Sequence, residues 1–283
     1  MLSFDNIDHQ WLLKFLEHRI TDQRLLRLLK KWLRAGVSED GEWSPSTVGT
    51  PQGAVISPLF SNVFLHYVLD LWLDAWRKRH ATGEVIIVRY ADDFVLGFRE
   101  ETDARRCLGA LKDRFAKFGL ELHPEKTRLI EFGRDAAQRR SQRGDAPPET
   151  FDFLGFTHLC GKTRKGHFAL QRISATKKLR AKLKELKGKL RKKMHMELAA
   201  VGSWLSSVFR GWCHYHAIPG NYDRLQQFRT AIQELWYRVL RRRSQRGQNL
   251  IWSKFSKLSR RWLLSPKILH PYPNVRFARL HPR

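Results

Sequence analysis

Two short apolar runs flank a pair of acids, and that arrangement constrains the fold more than any other stretch. Glu84-Val85-Ile86-Ile87-Val88 leads into Arg89-Tyr90-Ala91-Asp92-Asp93-Phe94, and Val95-Leu96-Gly97-Phe98 follows. Both runs are short and rich in β-branched, aromatic and aliphatic residues, so each reads as a buried strand, with the acids where a hairpin turns. Two adjacent carboxylates about 4 Å apart repel by roughly 4 kcal/mol at an effective dielectric near 20. A cation or hydrogen-bond donors must therefore hold them charged. Mg²⁺ suits that role, because it takes one or two carboxylates and keeps its other positions for water and phosphates. Two such ions about 4 Å apart clamp in-line phosphoryl transfer. The plainer reading is a polar turn, in which Asp is a favoured residue.

The charge balance asks for a polyanionic partner. Fifty-three Lys and Arg stand against 27 Asp and Glu, a formal net charge of +26. Such an excess self-repels in a compact fold. Charge alone does not separate an enzyme from an RNA-binding scaffold. With 283 residues, 42% of them hydrophobic, the chain has material for two domains with separate cores. Cys107, Cys160 and Cys213 are far apart and form no CxxC pair. That excludes a zinc ribbon or a disulfide framework and fits a reducing cytoplasm. No run of 18 apolar residues and no signal-like N-terminus is present, so no membrane partner is expected.

Helical periodicity dominates the rest. Trp11, Leu12, Phe15 and Leu16 mark one stripe, and Leu25, Leu28, Leu29, Trp32 and Leu33 a second, with Thr21 as N-cap between them. Ser57 as N-cap and Pro58 at the first helical position start a helix running to about Trp76. Before it lies Gly49-Thr50-Pro51-Gln52-Gly53, an ordinary loop or a place where backbone approaches a ligand closely. Thr102 caps a helix that stops at Gly119, and Arg128 to Phe132 reads as a strand. Residues 134–150 read as an exposed loop. Phe151 to Leu159 reads as one strand with Gly155 as a bulge, joined by a basic turn to His167 to Leu170. Between Lys162 and Lys193 fourteen Lys and Arg face one acid, Glu185, while Leu179, Leu183, Leu186 and Leu190 keep a helical stripe. This is an amphipathic helix whose basic face fits a nucleic-acid backbone better than a membrane surface. Two more helices, Ser203 to Tyr215 and Tyr222 to Arg243, follow.

Tyr90-Ala91-Asp92-Asp93 after an apolar strand, with the Gly49 to Pro58 run upstream of it, resembles the bacterial group II intron-encoded reverse transcriptase/maturase family. The likeness extends over nearly the whole chain. It implies an α+β fold in which a partial right-hand polymerase palm is followed by an all-α, basic thumb. Residues 1–133 would be the palm, 134–150 the loop, 151–170 a primer-grip-like hairpin closing the palm, 171–265 the thumb or maturase domain, and 266–283 a tail. It also implies RNA-directed DNA synthesis with two Mg²⁺ ions on Asp92, Asp93 and a third Asp, together with intron RNA binding and help with splicing.

By the same resemblance, Phe4, Pro51, Gln52, Gly53 and Lys126 contact nucleotide or template, and Phe153, Leu154 and Gly155 support the primer. Lys162, Arg164, Lys165, Lys177, Lys178, Arg180, Arg241, Arg242 and Arg243 are the expected RNA contacts. The partners implied are intron RNA, an RNA template, a DNA primer and dNTPs in a bacterial cytoplasm. The family's fingers and its first metal-binding Asp would precede Met1, so this chain is expected to lack them or to take them from a second chain. The competing expectation is a non-catalytic RNA-binding maturase or chaperone, or an inactive fragment.

Overall fold

Two separately cored units make up the chain, Met1–Leu129 and Ile130–Arg283. Residues 7–34, 37–39, 42–44, 56–163 and 165–280 are described in this computed structural model. Of the expected sites, Phe4, Pro51, Gln52, Gly53 and Arg164 lie outside the described residues. The fold is α+β, with helices accompanying small antiparallel sheets.

The first unit runs α1 (His9–Glu17), α2 (Gln23–Arg34), β1 (Val37–Glu39), β2 (Glu42–Ser44), α3 (Ser57–Leu65), α4 (Leu71–His80), β3 (Val85–Tyr90), β4 (Asp93–Phe98) and α5 (Glu101–Ala116). A π turn, His66–Asp70, joins α3 to α4. The Asp8 carboxylate caps α1 by accepting the N–H groups of Gln10 and Trp11 at 2.7 and 3.3 Å. Asp22, not Thr21, starts α2, accepting from the backbone of Arg24 at 2.7 Å. In α2, Leu26, Leu29 and Leu33 are buried, whereas Leu25, Leu28 and Trp32 of the expected stripe are exposed. Phe64, Val68, Leu73, Leu111 and Phe115 share one core with α1 and α2. The inward face of the hairpin, Ile87, Phe94, Leu96 and Phe98, packs against that core.

Helix α5 begins at Glu101 without a side-chain cap, so Thr102 does not serve as one. The buried Asp103 in its first turn instead reaches back to the backbone of Thr82 at 2.7 Å and Gly83 at 3.1 Å. Its ion pair with Arg106, aided by those N–H groups, holds the carboxyl at about 2. The lead-in to β3 is thereby tied to the start of α5. Arg128 to Phe132 is not a strand, because β3 and β4 pair only with each other and offer no ladder to it.

The second unit contains α6 (Arg134–Arg143), β5 (Phe151–Phe153), β6 (Phe156–Lys162), β7 (Phe168–Ser174), α7 (Thr176–Lys192), α8 (Leu198–His216), α9 (Tyr222–Arg243), α10 (Gln245–Gln248), α11 (Trp252–Ser259) and α12 (Pro273–Leu280). Helix α6 occupies most of the expected loop. Its Ala, Gln and Arg residues are good helix formers, Glu131 accepts from Arg139 and Arg140, and left-handed Gly144 (φ +74°) ends it. The expected continuous strand from Phe151 to Leu159 is cut by a two-residue turn at Leu154-Gly155, making Gly155 a turn residue.

The hairpin expected to close the first domain belongs to the second unit. Buried polar contacts hold it there. Ser174 N–H donates to Asn221 Oδ1 at 2.9 Å, and Asn221 Nδ2 donates to Ser174 Oγ and to the His216 carbonyl, each at 2.8 Å. Leu186, Leu190, Leu205, Phe209, Phe228, Ile232, Trp236 and Phe255 form this unit's core. Gly202 lets helix α8 meet the Trp262 ring, which a Cβ there would strike. No helix among the described residues is long and apolar enough to cross a membrane.

Candidate functional site

Strand alternation builds the acidic site. In β3, Val85, Ile87 and Arg89 turn inward while Ile86, Val88 and Tyr90 are exposed. Tyr90 pairs with Asp93 across the turn, leaving Ala91 and Asp92 as its two central residues. Ala91 takes φ +52° and Asp92 does not take a positive value, the sign pattern of a type II′ turn. That turn normally uses Gly at the first position, and a left-handed alanine costs about 1–2 kcal/mol. Something nearby must hold it.

Arg89 does so. Its inward parity places a guanidinium on an apolar face, where a charge is tolerated only when paired. Nε and Nη2 donate to Oδ1 and Oδ2 of Asp70, both at 2.6 Å. Nη1 donates at 2.9 Å to Asn62 Oδ1 and at 2.9 Å to the carbonyl of Ala91. The strained turn is thus held through its own backbone by a fork anchored in α3 and the π turn. Asp92 is half-buried and Asp93 exposed. Neither carboxylate has a hydrogen-bond or ion-pair partner among the described residues, unlike Asp70, Asp74, Asp103 and Glu131.

Two bare carboxylates on a rigid turn are the donor set a hard divalent cation takes, with water and phosphate oxygens completing its shell. The residues therefore fit Mg²⁺. No group of three metal-ligating side chains occurs among the described residues, so they provide two ligands and not three.

The other expected residues are distributed as follows. Lys126 is exposed in the turn at His123–Thr127 of the first unit. Phe153 and Phe156 close the second hairpin, whose central residues Leu154 (φ +49°) and Gly155 (φ +77°) are both left-handed, as a type I′ turn requires. Tyr215 Oη donates to the Leu154 carbonyl at 2.8 Å. Lys162, Lys165, Lys177, Lys178 and Arg180 are exposed. Along α7, Lys182 and Lys189 pair with Glu185, whose carboxyl they hold at about 2. Lys177, Lys178, Arg180, Lys184, Lys187 and Lys192 have no acidic partner among the described residues.

The arginines ending α9 divide. Arg241 donates to the Gln248 carbonyl at 3.3 Å and Arg243 to the Met196 carbonyl at 3.0 Å. Only Arg242 of the three projects without a partner among the described residues. Sequence reasoning missed Arg89, Asp70, Asn62 and Arg114. The signal for Arg89 was available: a charged residue in phase with Val85 and Ile87 must have a buried partner.

The family described as reverse transcriptase (RNA-dependent DNA polymerase) matches residues 3–158, over half of the chain. Protein YkfC of Escherichia coli strain K12 is 31% identical over 179 residues, 50% of this chain and 46% of that protein. An uncharacterized 91 kDa protein in the cob intron of Schizosaccharomyces pombe is 24% identical over 293 residues, covering 80% of this chain and 35% of its own length. The group II intron-encoded protein LtrA of Lactococcus lactis subsp. cremoris is 40% identical over 72 residues, 24% of this chain and 12% of that protein. The chain spans less than half the length of each of these relatives.

Proposed function

The chain belongs to the reverse transcriptase (RNA-dependent DNA polymerase) family, and from that membership we propose that it takes part in RNA-directed DNA synthesis as a group II intron-type reverse transcriptase/maturase. The observation that carries this reading is the pair of partnerless carboxylates, Asp92 and Asp93, on a turn whose backbone is held by Arg89. These two residues would hold Mg²⁺, with a third carboxylate from outside the described residues or from a second chain. When bound, the ions supply charge neutralisation at the transferring phosphoryl group and activation of the attacking hydroxyl.

The chain's own part is positioning. Arg89 keeps the turn fixed, and the first-unit core keeps the hairpin's inward face seated. The hairpin at Phe153, Leu154 and Gly155 would support the primer end, and Lys126 would lie near nucleotide phosphates. Lys162, Lys165, Lys177, Lys178, Arg180 and Arg242 would track the backbone of template or intron RNA. Splicing assistance follows from the same RNA contacts, and a bacterial cytoplasm is the proposed setting.

Primer extension tests the reading. With an RNA template, a DNA primer, dNTPs, Mg²⁺ and a second chain that supplies the fingers and the third carboxylate, the wild-type chain supports primer extension and Asp92→Ala does not. Equal extension by both proteins would sink it. The unpaired cations of α7 favour a second reading, a non-catalytic RNA-binding maturase. That protein would keep its RNA affinity in Asp92→Ala and show a log–log salt slope near ~0.7 per phosphate neutralised on single strands. A flat salt response would remove the basic-face argument from both readings.

A further inference from the structure

Among the described residues of the first unit, the π turn is the one place where helix pairing slips from i+4 to i+5, with Leu71 N–H donating to the His66 carbonyl. Such single turns are frequent at functional sites. Asp70, the last residue of this one, receives both arms of the Arg89 fork at 2.6 Å. The widened turn is itself braced from α5. Arg114 Nε donates to the Val68 carbonyl at 3.1 Å and Nη2 to the Tyr67 carbonyl at 3.3 Å. The Arg114 guanidinium also sits over the Phe118 ring at 4.5 Å. A carbonyl has two lone pairs, so a side-chain donor can be added to one already paired in a helix.

These contacts form one continuous series from α5 to the acidic turn. Arg114 holds the carbonyls of the π turn, the π turn presents Asp70, Asp70 orients Arg89, and Arg89 holds the carbonyl of Ala91 beside Asp92. Asn62, one helical turn into α3, keeps Nη1 of Arg89 from rotating, and its own Nδ2 is fixed on the Pro58 carbonyl at 3.0 Å.

We infer that Arg89 and Asp70 are the positioning residues of the acidic turn, with Arg114 as their outer brace, and that together they set the direction in which Asp92 and Asp93 present their carboxylates. The inference deepens the proposed function and rests on it for the identity of the cation. A monodentate lysine at position 89 can neutralise Asp70 but cannot reach Asp70, Asn62 and Ala91 together. Charge and geometry are therefore separable.

The test uses the full chain, with Mn²⁺ as a paramagnetic probe and two readouts. One is Mn²⁺ affinity, and the other is amide exchange in the metal-free peptide spanning Ala91 to Asp93, both measured at a temperature where melting curves show every variant folded. Arg89→Lys and Asp70→Asn are expected to weaken Mn²⁺ binding about 10-fold, the lower end of what losing a partner behind a metal ligand costs. Exchange in the turn should accelerate by a similar factor. Arg114→Lys should move both readouts in the same direction by less. Wild-type exchange in Arg89→Lys overturns the inference, and so does accelerated exchange with unchanged Mn²⁺ affinity, since direction would then not matter to the site. Should the wild-type chain bind Mn²⁺ no better than an Asp92→Ala, Asp93→Ala double variant, the metal reading fails. The exchange comparison alone then decides whether Arg89 fixes the turn.

Discussion

The two tight hairpins solve one problem in opposite ways. Each turns on two residues, each places a non-glycine residue at positive φ in the first central position, and each holds that residue's carbonyl with one side-chain donor. At Ala91 the donor is a charged fork on the hairpin's own strand, braced from behind by Asp70 and Asn62. At Leu154 it is the neutral hydroxyl of Tyr215, from helix α8, whose ring also stacks on Phe156 at 5.5 Å. The first turn is held from below, which leaves its acids bare. The second is held from above, which covers its tip. A hairpin that must offer charge to a ligand cannot be packed over, so its rigidity has to come from the face turned away from the ligand.

Chemistry should separate the two hairpins most. Asp92→Asn or Asp93→Asn is expected to lower Mg²⁺-dependent primer extension by more than about a hundredfold, beyond the 10–100-fold of losing a partner behind a metal ligand. Tyr215→Phe should stay within that lesser range. Equal losses in the same primer-extension assay would erase the distinction drawn between the turns.

Stability comes next. Arg89→Met takes the bidentate partner from Asp70, leaving it only His66 Nδ1 at 3.5 Å, and should destabilise the first unit by about 2 kcal/mol in urea unfolding, whereas Arg89→Met with Asp70→Leu should cost less, because no half-buried charge is then left short of partners. A double variant no better than the single one would mean the fork matters for shape and not for charge.

The second hairpin has its own pH signature. Ser174 Oγ and His216 Nδ1 lie 3.0 Å apart in a buried site, and burial holds the imidazole down at about 4, from 6.5. Between those values the unfolded chain binds the extra proton and the folded one does not. Stability of the second unit should therefore fall by roughly 2 kcal/mol as pH drops from 6.5 towards 4. His216→Gln should reduce that slope in thermal melts, leaving the part due to His158, whose imidazole burial also holds below its ordinary value. Asp103, held at about 2, withdraws its contribution only as pH falls from about 4 towards 2.

Tyr215→Phe removes one neutral hydrogen bond and should cost the second unit about 1 kcal/mol by the same unfolding measurement. The smallest effect belongs to Ala91→Gly. Relief of the left-handed alanine, about 1 kcal/mol, is nearly offset by glycine's greater backbone entropy in the unfolded chain. A large gain would show that the turn is under more strain than Arg89 relieves.

Much of this architecture can be read before any coordinates. The acidic hairpin and the helix Tyr222–Arg243 announce themselves, because a long periodic run and a pair of short apolar runs are strong local signals. The second hairpin's turn hid because Leu154 is no turn former and a lone Gly155 looks like a bulge. Helix α6 hid because it buries only Ala136 and depends on Glu131, which precedes it in sequence. The buried face of α2 hid because leucines stand on both faces, Leu25 and Leu28 beside Leu26 and Leu29. Asp70 could not be assigned at all, since an unbroken α-helix from Ser57 onward would aim it elsewhere.

That last point has a consequence for how this segment tolerates change. Each residue of an α-helix advances the chain about 100° and 1.5 Å, and the π turn absorbs one residue more than that pitch allows. Deleting any single residue between His66 and Asp70 would yield a more regular helix. Because the Leu71 N–H already closes on the His66 carbonyl, such a deletion would leave Phe60 and Phe64 in phase with Leu73 and Trp76. The stretch from Ser57 to His80 can therefore give up a residue at the turn and keep both halves seated on the core. What it would give up lies inside the turn, where the carbonyls of Tyr67 and Val68 meet Arg114 and Asp70 meets Arg89.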